Sequence, residues 1–339
     1  MLTVDQLTKI AFDRGYAAIA ESYSERSEVW RQFVPTDKVR TPAGDTCTDY
    51  PYGDRYIEPI GLGTLHEIEE GQRVPQDLVG EGPVRQTKLR CLATGLTVTE
   101  DMLMIRDAES RIVRDVIDWG RRVSAAASRY RNAYIAGKLQ KGTLSAGSAA
   151  YFDDSYRGTP DSNVKFIYDG KPWFAATGNV HPLQGFTGTT SAGINLVASA
   201  ALNSTTFDAA YLAMNVTNAV DERNQNIFVR PQYLLVGPSL RQTAIAITES
   251  ELLPGGSNND RNANAGLVAP IIWDELTDDT DAWWLLAEDP GLLVFDSGTP
   301  EIRIRTDEAR RTVTFEGFIR FGASVADWRG ASCQNKAVS

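Results

Sequence analysis

The chain has 339 residues, 42% hydrophobic and 23% charged, and a net charge of −10 at neutral pH. Such a composition belongs to a globular protein long enough for one large or two medium domains. The acidic balance opposes tight binding to a phosphate backbone, which needs clustered Lys and Arg. No apolar run approaches the roughly 18 residues of a membrane span, and MLTVDQLTKI lacks the basic-then-apolar order of a signal peptide, so a cytosolic protein without a membrane partner is expected.

Three cysteines, Cys47, Cys91 and Cys333, lie without ligand spacing. An odd number argues against a disulfide framework, so all three are expected to be reduced thiols.

Along the chain, Thr3 opens a helix: Gln6 completes a capping box, and Leu7, Ile10 and Ala11 recur at helical spacing. From about Glu25 to Asp54, Pro35, Pro42, Gly44 and Pro51 dissolve the pattern into an extended arm, with Trp30 and Phe33 as isolated anchors. Two strand-like runs follow, about Tyr56 to Ile68 and Arg85 to Val98. In the second, Leu89, Cys91 and Ala93 are expected on one half-buried face. Between the runs lies most of EEGQRVPQDLVGEGPVRQ, residues 69 to 86, where Gly71, Pro75, Gly80, Gly82 and Pro83 forbid regular structure. The expectation is a long hairpin with a broad tip. A two-stranded ribbon buries too little apolar area to stand alone, so it needs a partner surface.

Thr99 is a good N-cap, followed by Glu100 and Asp101 where the helix dipole favours anions. Ile112, Val116, Trp119, Val123, Ala126, Tyr130 and Ala133 then mark one stripe of a helix over roughly 106 to 137. Ala125, Ala126 and Ala127 would permit close approach of another element. After GTLSAGSAA the texture changes to short strands and helices. Thr205 can cap a helix carrying Phe207, Ala210, Tyr211 and Met214. Tyr233 to Val236 reads as a buried strand, with Pro238 in the first turn of a following helix. Strands are expected about Leu267 to Trp273, Trp283 to Ala287 and Leu292 to Phe295. A closing pair carries Ile302 and Ile304 on one run and Val313, Phe315, Ile319 and Phe321 on the other, joined by TDEARR. No repeat is present, so the fold is mixed α+β.

Chemistry is scarce. Neither His66 nor His181 lies in a catalytic motif, and each reads as a surface or hydrogen-bonded structural residue. There is no HExxH, GxGxxG, P-loop or GxSxG. The acidic run Asp274, Glu275, Asp278, Asp279 and Asp281 lacks calcium-loop spacing and reads as a solvated turn. GGSNNDRNANAG, residues 255 to 266, reads as a mobile surface loop, or alternatively as a contact loop at a symmetry axis. No catalytic, metal or cofactor site is expected.

The order of arm, long hairpin, long helix, mixed domain and closing strand pair resembles the major capsid proteins of tailed double-stranded DNA phages, whose fold encapsulins share. Three stretches carry the resemblance. EEGQRVPQDLVGEGPVRQTKLRCLATGLTVTEDML is similar to that family's extended loop leading to its spine helix. RPQYLLVGPSLRQTAIAI is similar to the axial-domain strand and helix, and RTVTFEGFIRFGASVADWRG to the final peripheral-domain strand. KPWFAATGNVHPL and WDELTDDTDAWWLLAEDPGL are similar to the Mu-like head subunit branch.

The resemblance implies residues 1–54 as N-terminal arm, 55–98 as extended hairpin loop, 99–180 as peripheral domain with spine helix, 181–298 as axial domain and 299–339 as peripheral C-terminal strands. It implies a non-enzymatic subunit that self-assembles through pentamers and hexamers into an icosahedral shell, is built in the bacterial host cytoplasm and contacts packaged DNA weakly. It also implies a separate scaffolding protein and a portal as partners, and leaves open whether a decoration protein joins them. The hairpin would lie across one neighbour and the arm would reach another. Interface residues on the hairpin are Glu69, Glu70, Arg73, Leu78, Val79, Glu81, Val84 and Arg85. Covalent crosslinking is not expected: the only lysine near the tip is Lys88, which has no identifiable partner. An encapsulin-like compartment subunit is the same-fold alternative, and an enzyme with a carboxylate-only site the alternative from another class.

Overall fold

The computed structural model describes residues 4–24, 28–41, 55–59, 81–86, 89–99, 102, 108–144, 155–156, 159–160, 167, 171–177, 180–181, 193–217, 220, 227–252, 261–277 and 280–336. Helix α1 (Val4–Ser24) precedes two single-turn 3-10 helices (Val29–Gln32 and Thr36–Lys38) and strand β1 (Val39–Arg40). Strands β2 (Arg55–Pro59), β3 (Glu81–Gln86) and β4 (Arg90–Thr99) lead to the long helix α2 (Ala108–Gln140). Strands β5 (Ser155–Tyr156) and β6 (Thr159–Pro160) form a separate two-residue pair. Then come β7 (Leu196–Val197), helix α3 (Ser204–Leu212), β8 (Pro231–Val236), helix α4 (Arg241–Thr248), β9 (Ala269–Ile272) and β10 (Trp283–Ala287). The last strands are β11 (Leu292–Asp296), β12 (Glu301–Asp307), β13 (Thr312–Val325) and β14 (Ala331–Gln334).

Two five-stranded sheets organise these elements. In the first, β13 is the axis: its Thr312–Phe318 stretch pairs antiparallel with both β12 and β4, so those two strands flank it on opposite sides. Its Phe321–Val325 end pairs with β11, which in turn takes β1 in parallel. The second sheet runs β7-β14-β10-β8-β9. Its central strand β10 is buried throughout. Alternation sends Trp283, Leu285 and Ala287 into a core under α3 and α4, and Trp284 and Leu286 into a core shared with the first sheet. Six of the seven tryptophans (Trp30, Trp173, Trp273, Trp283, Trp284 and Trp328) are fully buried, so large aromatics fill these cores.

Helix α1 lies along α2, and the crossing is set by two glycines. A Cβ on Gly120 would stand 3.0 Å from the Gly15 carbonyl oxygen, and one on Gly15 would stand 2.7 Å from Val116 Cγ1. Ser124 Oγ closes the contact by donating to the Ile19 carbonyl at 2.9 Å. The close approach expected at Ala125–Ala127 therefore occurs one to two turns earlier. Beneath the helices, Ala11, Ile112, Val113 and Val116 meet Val98, Val313 and Phe315 of the sheet.

Trp30 and Phe33 are buried anchors as expected, but the segment carrying them is docked on its own chain. β1 joins the first sheet, and Val29 N–H donates to Asn132 Oδ1 of α2 at 3.2 Å. Residues 42–54 lie outside the described residues.

The second strand-like run divides: β3 begins at Glu81, inside the stretch that Gly82 and Pro83 were expected to keep irregular, and pairs with β2, whereas the rest of the run is β4, which joins β13. The inward face of β4 is also the opposite one: Leu92, Leu96 and Val98 turn toward the body, while Cys91 and Ala93 are exposed. Since side chains alternate with a period of two, reading the strand one residue out exchanges its faces.

Three smaller expectations shift. Helix α3 is capped by Asn203, whose Oδ1 accepts Thr206 N–H at 2.9 Å while Thr206 Oγ1 accepts Asn203 N–H at 3.0 Å, so the cap lies two residues before Thr205. Part of the 255–266 loop, residues 261–266, is anchored, because Asn262 Nδ2 donates to the carbonyls of Ile247 and Ser250 and Asn264 Nδ2 donates to Ser204 Oγ. The chain also continues past the first sheet: β14 pairs with β10 and β7 in the second.

The thiol expectation fails at Cys91, which is disulfide-bonded, while Cys333 is buried and outside any disulfide. An odd count excludes complete pairing but not one bridge with one thiol left over. The remaining cysteine, Cys47, lies outside the described residues.

Candidate subunit interface

The hairpin is defined by β2 and β3, with Tyr56 opposite Arg85, Ile57 opposite Val84 and Pro59 opposite Glu81, and an irregularity between Ile57 and Pro59. Three expected interface residues, Glu81, Val84 and Arg85, therefore sit on one strand of a real ribbon. The other five, Glu69, Glu70, Arg73, Leu78 and Val79, lie outside the described residues, as does His66. Among the described residues no other named element packs appreciably against β2 or β3. The ribbon's extensive contacts among the described elements are those between its own two strands, the arrangement that is marginal in water without a further surface.

The body behind the hairpin is tied together by a buried cluster of charges. Arg131 on α2 has no exposed surface. Its Nη2 lies 2.7 Å from Asp296 Oδ1 and donates to the Gly298 carbonyl at 2.5 Å, and its Nη1 lies 3.4 Å from Glu28 Oε1. Arg31 closes the ring, with Nε 2.8 Å from Glu28 Oε2 and Nη2 2.6 Å from Asp296 Oδ2. Two arginines thus neutralise two carboxylates whose side chains are only 2% exposed. Tyr23 at the end of α1 donates to Glu28 Oε1 at 3.4 Å and accepts from Arg31 Nη2 at 3.3 Å. Burial, then the Asp296 carboxylate, push the Tyr23 hydroxyl above the ordinary tyrosine range. Burial works against the charge of Arg31, but the hydrogen bond to Glu28 and the nearby Tyr23, Glu28 and Asp296 outweigh it, so its pKa is raised.

This cluster joins α1, the 3-10 segment, α2 and β11, and the sequence reading missed it. The signal was present. The buried face of α2 runs through Val116, Gly120, Val123, Ser124, Ala127, Ser128, Arg131, Asn132, Ile135 and Leu139. Following apolar residues alone drifts off this face at Ala126 and Ala133, both exposed. Thr99 Oγ1 accepts Met102 N–H at 3.3 Å, the contact of an N-cap, but the long helix α2 begins only at Ala108.

Another polar hub is Asn195, which accepts Ala175 N–H at 2.7 Å and donates to the carbonyls of Trp173, Trp328 and Ala331. His181 is a structural residue as expected: it is buried, its Nε2 lies 3.2 Å from the Trp173 carbonyl oxygen and its ring stacks on Trp328. Asp274 and Asp281 of the acidic run are exposed. Among the described residues no cluster of His, Cys, Asp or Glu is arranged to hold a metal, and no helix is long and apolar enough to cross a membrane.

Between α2 and the β4 side of the first sheet lies an apolar cleft of about 240 Å³, lined by Leu92, Val123, Ala126, Ala127, Gly317 and Ile319 among others. Small residues line it on both sides, Ala126 and Ala127 of α2 and Ala93 and Gly317 of the sheet.

A family model described as phage capsid protein matches residues 86–333. The chain belongs to this family. No curated protein matches it. Among solved structures, the capsid of a native GTA particle aligns over 91% of this chain and 90% of that chain at 11% identity and a TM-score of 0.48. A Mycobacterium phage Patience chain aligns over 100% and 91% at 13% identity and a TM-score of 0.47. The capsid of Myoviridae phage XM1 aligns over 91% of both chains at 8% identity and a TM-score of 0.44. At such values these likenesses add no argument, and membership rests on the family model. This capsid protein is accordingly a structural shell subunit with the phage capsid fold, and not an enzyme.

Proposed function

We propose that the β2–β3 hairpin is the segment through which this capsid subunit grips a neighbouring copy. One observation carries the reading: among the described elements the ribbon has no extensive packing partner other than itself. The residues expected at its tip, Glu69, Glu70 and Glu81 against Arg73 and Arg85, offer both signs of charge, which suits orientation of a partner more than raw affinity. Leu78, Val79 and Val84 supply apolar contact. Repeated contacts of this heterologous kind close into pentamer and hexamer rings and then a shell.

In this reading residues 99–180 and 299–339 form a peripheral domain around α2 and β13, and residues 181–298 an axial domain around β8, β10, α3 and α4. The net charge of −10 suits a shell that encloses double-stranded DNA without adhering to it. In this reading assembly takes place in the host cytoplasm with a separate scaffolding protein and a portal. Assignment to the Mu-like branch rests on KPWFAATGNVHPL and WDELTDDTDAWWLLAEDPGL, whose described residues build the core around Trp173, Phe174, Trp273 and Trp284. The test is deletion of residues 70–83. The expected product is a folded monomer or small oligomer that forms no shells by negative-stain electron microscopy, and normal shells would end the proposal.

A further inference from the structure

We infer that the outward face of helix α2 carries a track for the phosphate backbone of double-stranded DNA, formed by Arg111, Arg122 and Arg129. This rests on the reading that the shell encloses DNA, and adds the place where DNA touches the subunit.

The buried face of α2 runs through Val116, Gly120, Val123, Ala127 and Arg131, so the opposite face looks away from the body. Five arginines stand on that outward side, Arg111, Arg114, Arg121, Arg122 and Arg129, and every one is exposed. Separations of 11 and 7 residues put Arg111, Arg122 and Arg129 close to one straight line, at intervals of about 16.5 and 10.5 Å. Arg114 and Arg121 form a second row beside it. These charges are not neutralised within the subunit. In the body, Arg31 and Arg131 each have a carboxylate oxygen within 2.8 Å. On this face Asp118 stands one turn from both Arg114 and Arg122, yet among the described residues its ion pair is the 3.9 Å contact with Arg121. Arg111, Arg114, Arg122 and Arg129 take part in no ion pair among the described residues.

A guanidinium without a carboxylate partner is a planar fork of donors, the shape that matches two phosphate oxygens. The line from Arg111 to Arg129 is about 27 Å long, more than a small anion can span but well matched to a polyanion that carries one charge per roughly 1.7 Å of its axis. The rest of the surface discourages such a ligand, because the whole chain carries a charge of −10. On the outward side of α2 the balance reverses, with five arginines against Asp115 and Asp118. Charge complementarity therefore directs a phosphate backbone to this face. Three phosphate contacts give a slope of about −2.7 in log K against log salt, a roughly fortyfold loss of affinity between 50 and 200 mM. The contact is weak in one subunit and is repeated in every copy of the shell.

The test is retention of the unassembled subunit on immobilised double-stranded DNA at about 20 mM salt. It compares wild type with the Arg111→Glu, Arg122→Glu, Arg129→Glu triple variant. A second triple, Arg303→Glu, Arg305→Glu, Arg310→Glu, makes the same change of charge at exposed positions on and beside β12. Wild type and the β12 triple should be retained and should elute below about 200 mM salt, whereas the α2 triple should flow through with wild-type circular dichroism. Wild type that is not retained, an α2 triple that elutes with wild type, or equal loss from both triples would overturn the track. Retention of wild type on immobilised polyglutamate but not on DNA would overturn phosphate as its ligand. Should the α2 triple not fold, Arg111→Gln, Arg122→Gln, Arg129→Gln takes its place with the same outcomes. Nuclease-protected DNA in purified wild-type particles reads the enclosing function separately. Its absence would remove that reading, whereas protected DNA with unchanged elution of the α2 triple would remove the track alone.

Discussion

The body of this subunit and its hairpin solve the problem of unsatisfied groups in opposite ways. In the body even charge is internalised: Arg131, Glu28 and Asp296 are almost wholly out of solvent, yet each finds its opposite within 3.4 Å. The hairpin pairs its backbone across β2 and β3, and no other described element packs extensively against it. On the proposal above, the difference separates two tasks: stability of the subunit resides in contacts formed by one chain, and assembly draws on the ribbon. A change to the body should therefore lower the stability of the isolated subunit, and a change to the hairpin should not.

The largest effect is expected at Arg131. Arg131→Ala leaves Glu28 and Asp296 buried with only Arg31 to neutralise them, and removing one member of a buried ion pair costs about 3–5 kcal/mol. Urea unfolding of the unassembled subunit measures it. The 70–83 deletion should leave the same midpoint nearly unmoved. A deletion that destabilised as much as Arg131→Ala would erase the distinction between the two regions.

A middle-sized effect separates two positions two residues apart on α2. Val123 is 6% exposed and packs against Ile19, Ile302 and Trp119, so Val123→Asp buries a carboxylate without a partner, at ~2–4 kcal/mol. Arg121 is exposed, with a long contact of 3.9 Å to Asp118. Arg121→Asp exchanges that weak pair for a like-charge one, worth about 0.5 kcal/mol or less. Equal unfolding midpoints for the two variants would contradict the buried face of α2 on which the body is built.

What the sequence revealed follows the same division. Local signals were readable where they depend on neighbours in the chain: the Thr99 interaction, the start of α2's stripe, Pro238 entering a helix, Trp283–Ala287 as a strand. What failed depended on distant residues. The face of β4 was misread because Leu89, Cys91 and Ala93 alternate as plausibly as Leu92, Leu96 and Val98, and only β13 and the helices above decide between them. The charged cluster was invisible because an arginine in an apolar stripe reads as a break until Glu28 and Asp296, 103 and 165 positions away in the sequence, are brought beside it. The hairpin was legible in part: paired strands were expected around the Gly- and Pro-punctuated stretch and β2 pairs with β3, but β3 takes in Gly82 and Pro83, where pairing with a distant strand overrides the local signal.

The smallest effect concerns Tyr23, where the body's charge cluster meets α1. Its hydroxyl titrates above the ordinary value of about 10, through burial first and the Asp296 carboxylate second. A folded-state pKa above the unfolded one means that both states hold the proton below pH 10. Above it the unfolded chain releases the proton first, so the contribution to stability is lost as pH rises from about 10 through the folded pKa. At pH 8, Tyr23→Phe should lower stability by about 0.5–1.5 kcal/mol, the value of a hydrogen bond shared with Glu28 and Arg31. Between pH 9 and pH 11 the gap between wild type and variant in urea midpoint should narrow, because only the wild type carries this titrating group. A gap that stayed constant would place the hydroxyl in ordinary contact with solvent and detach α1 from the charged cluster that unites the body.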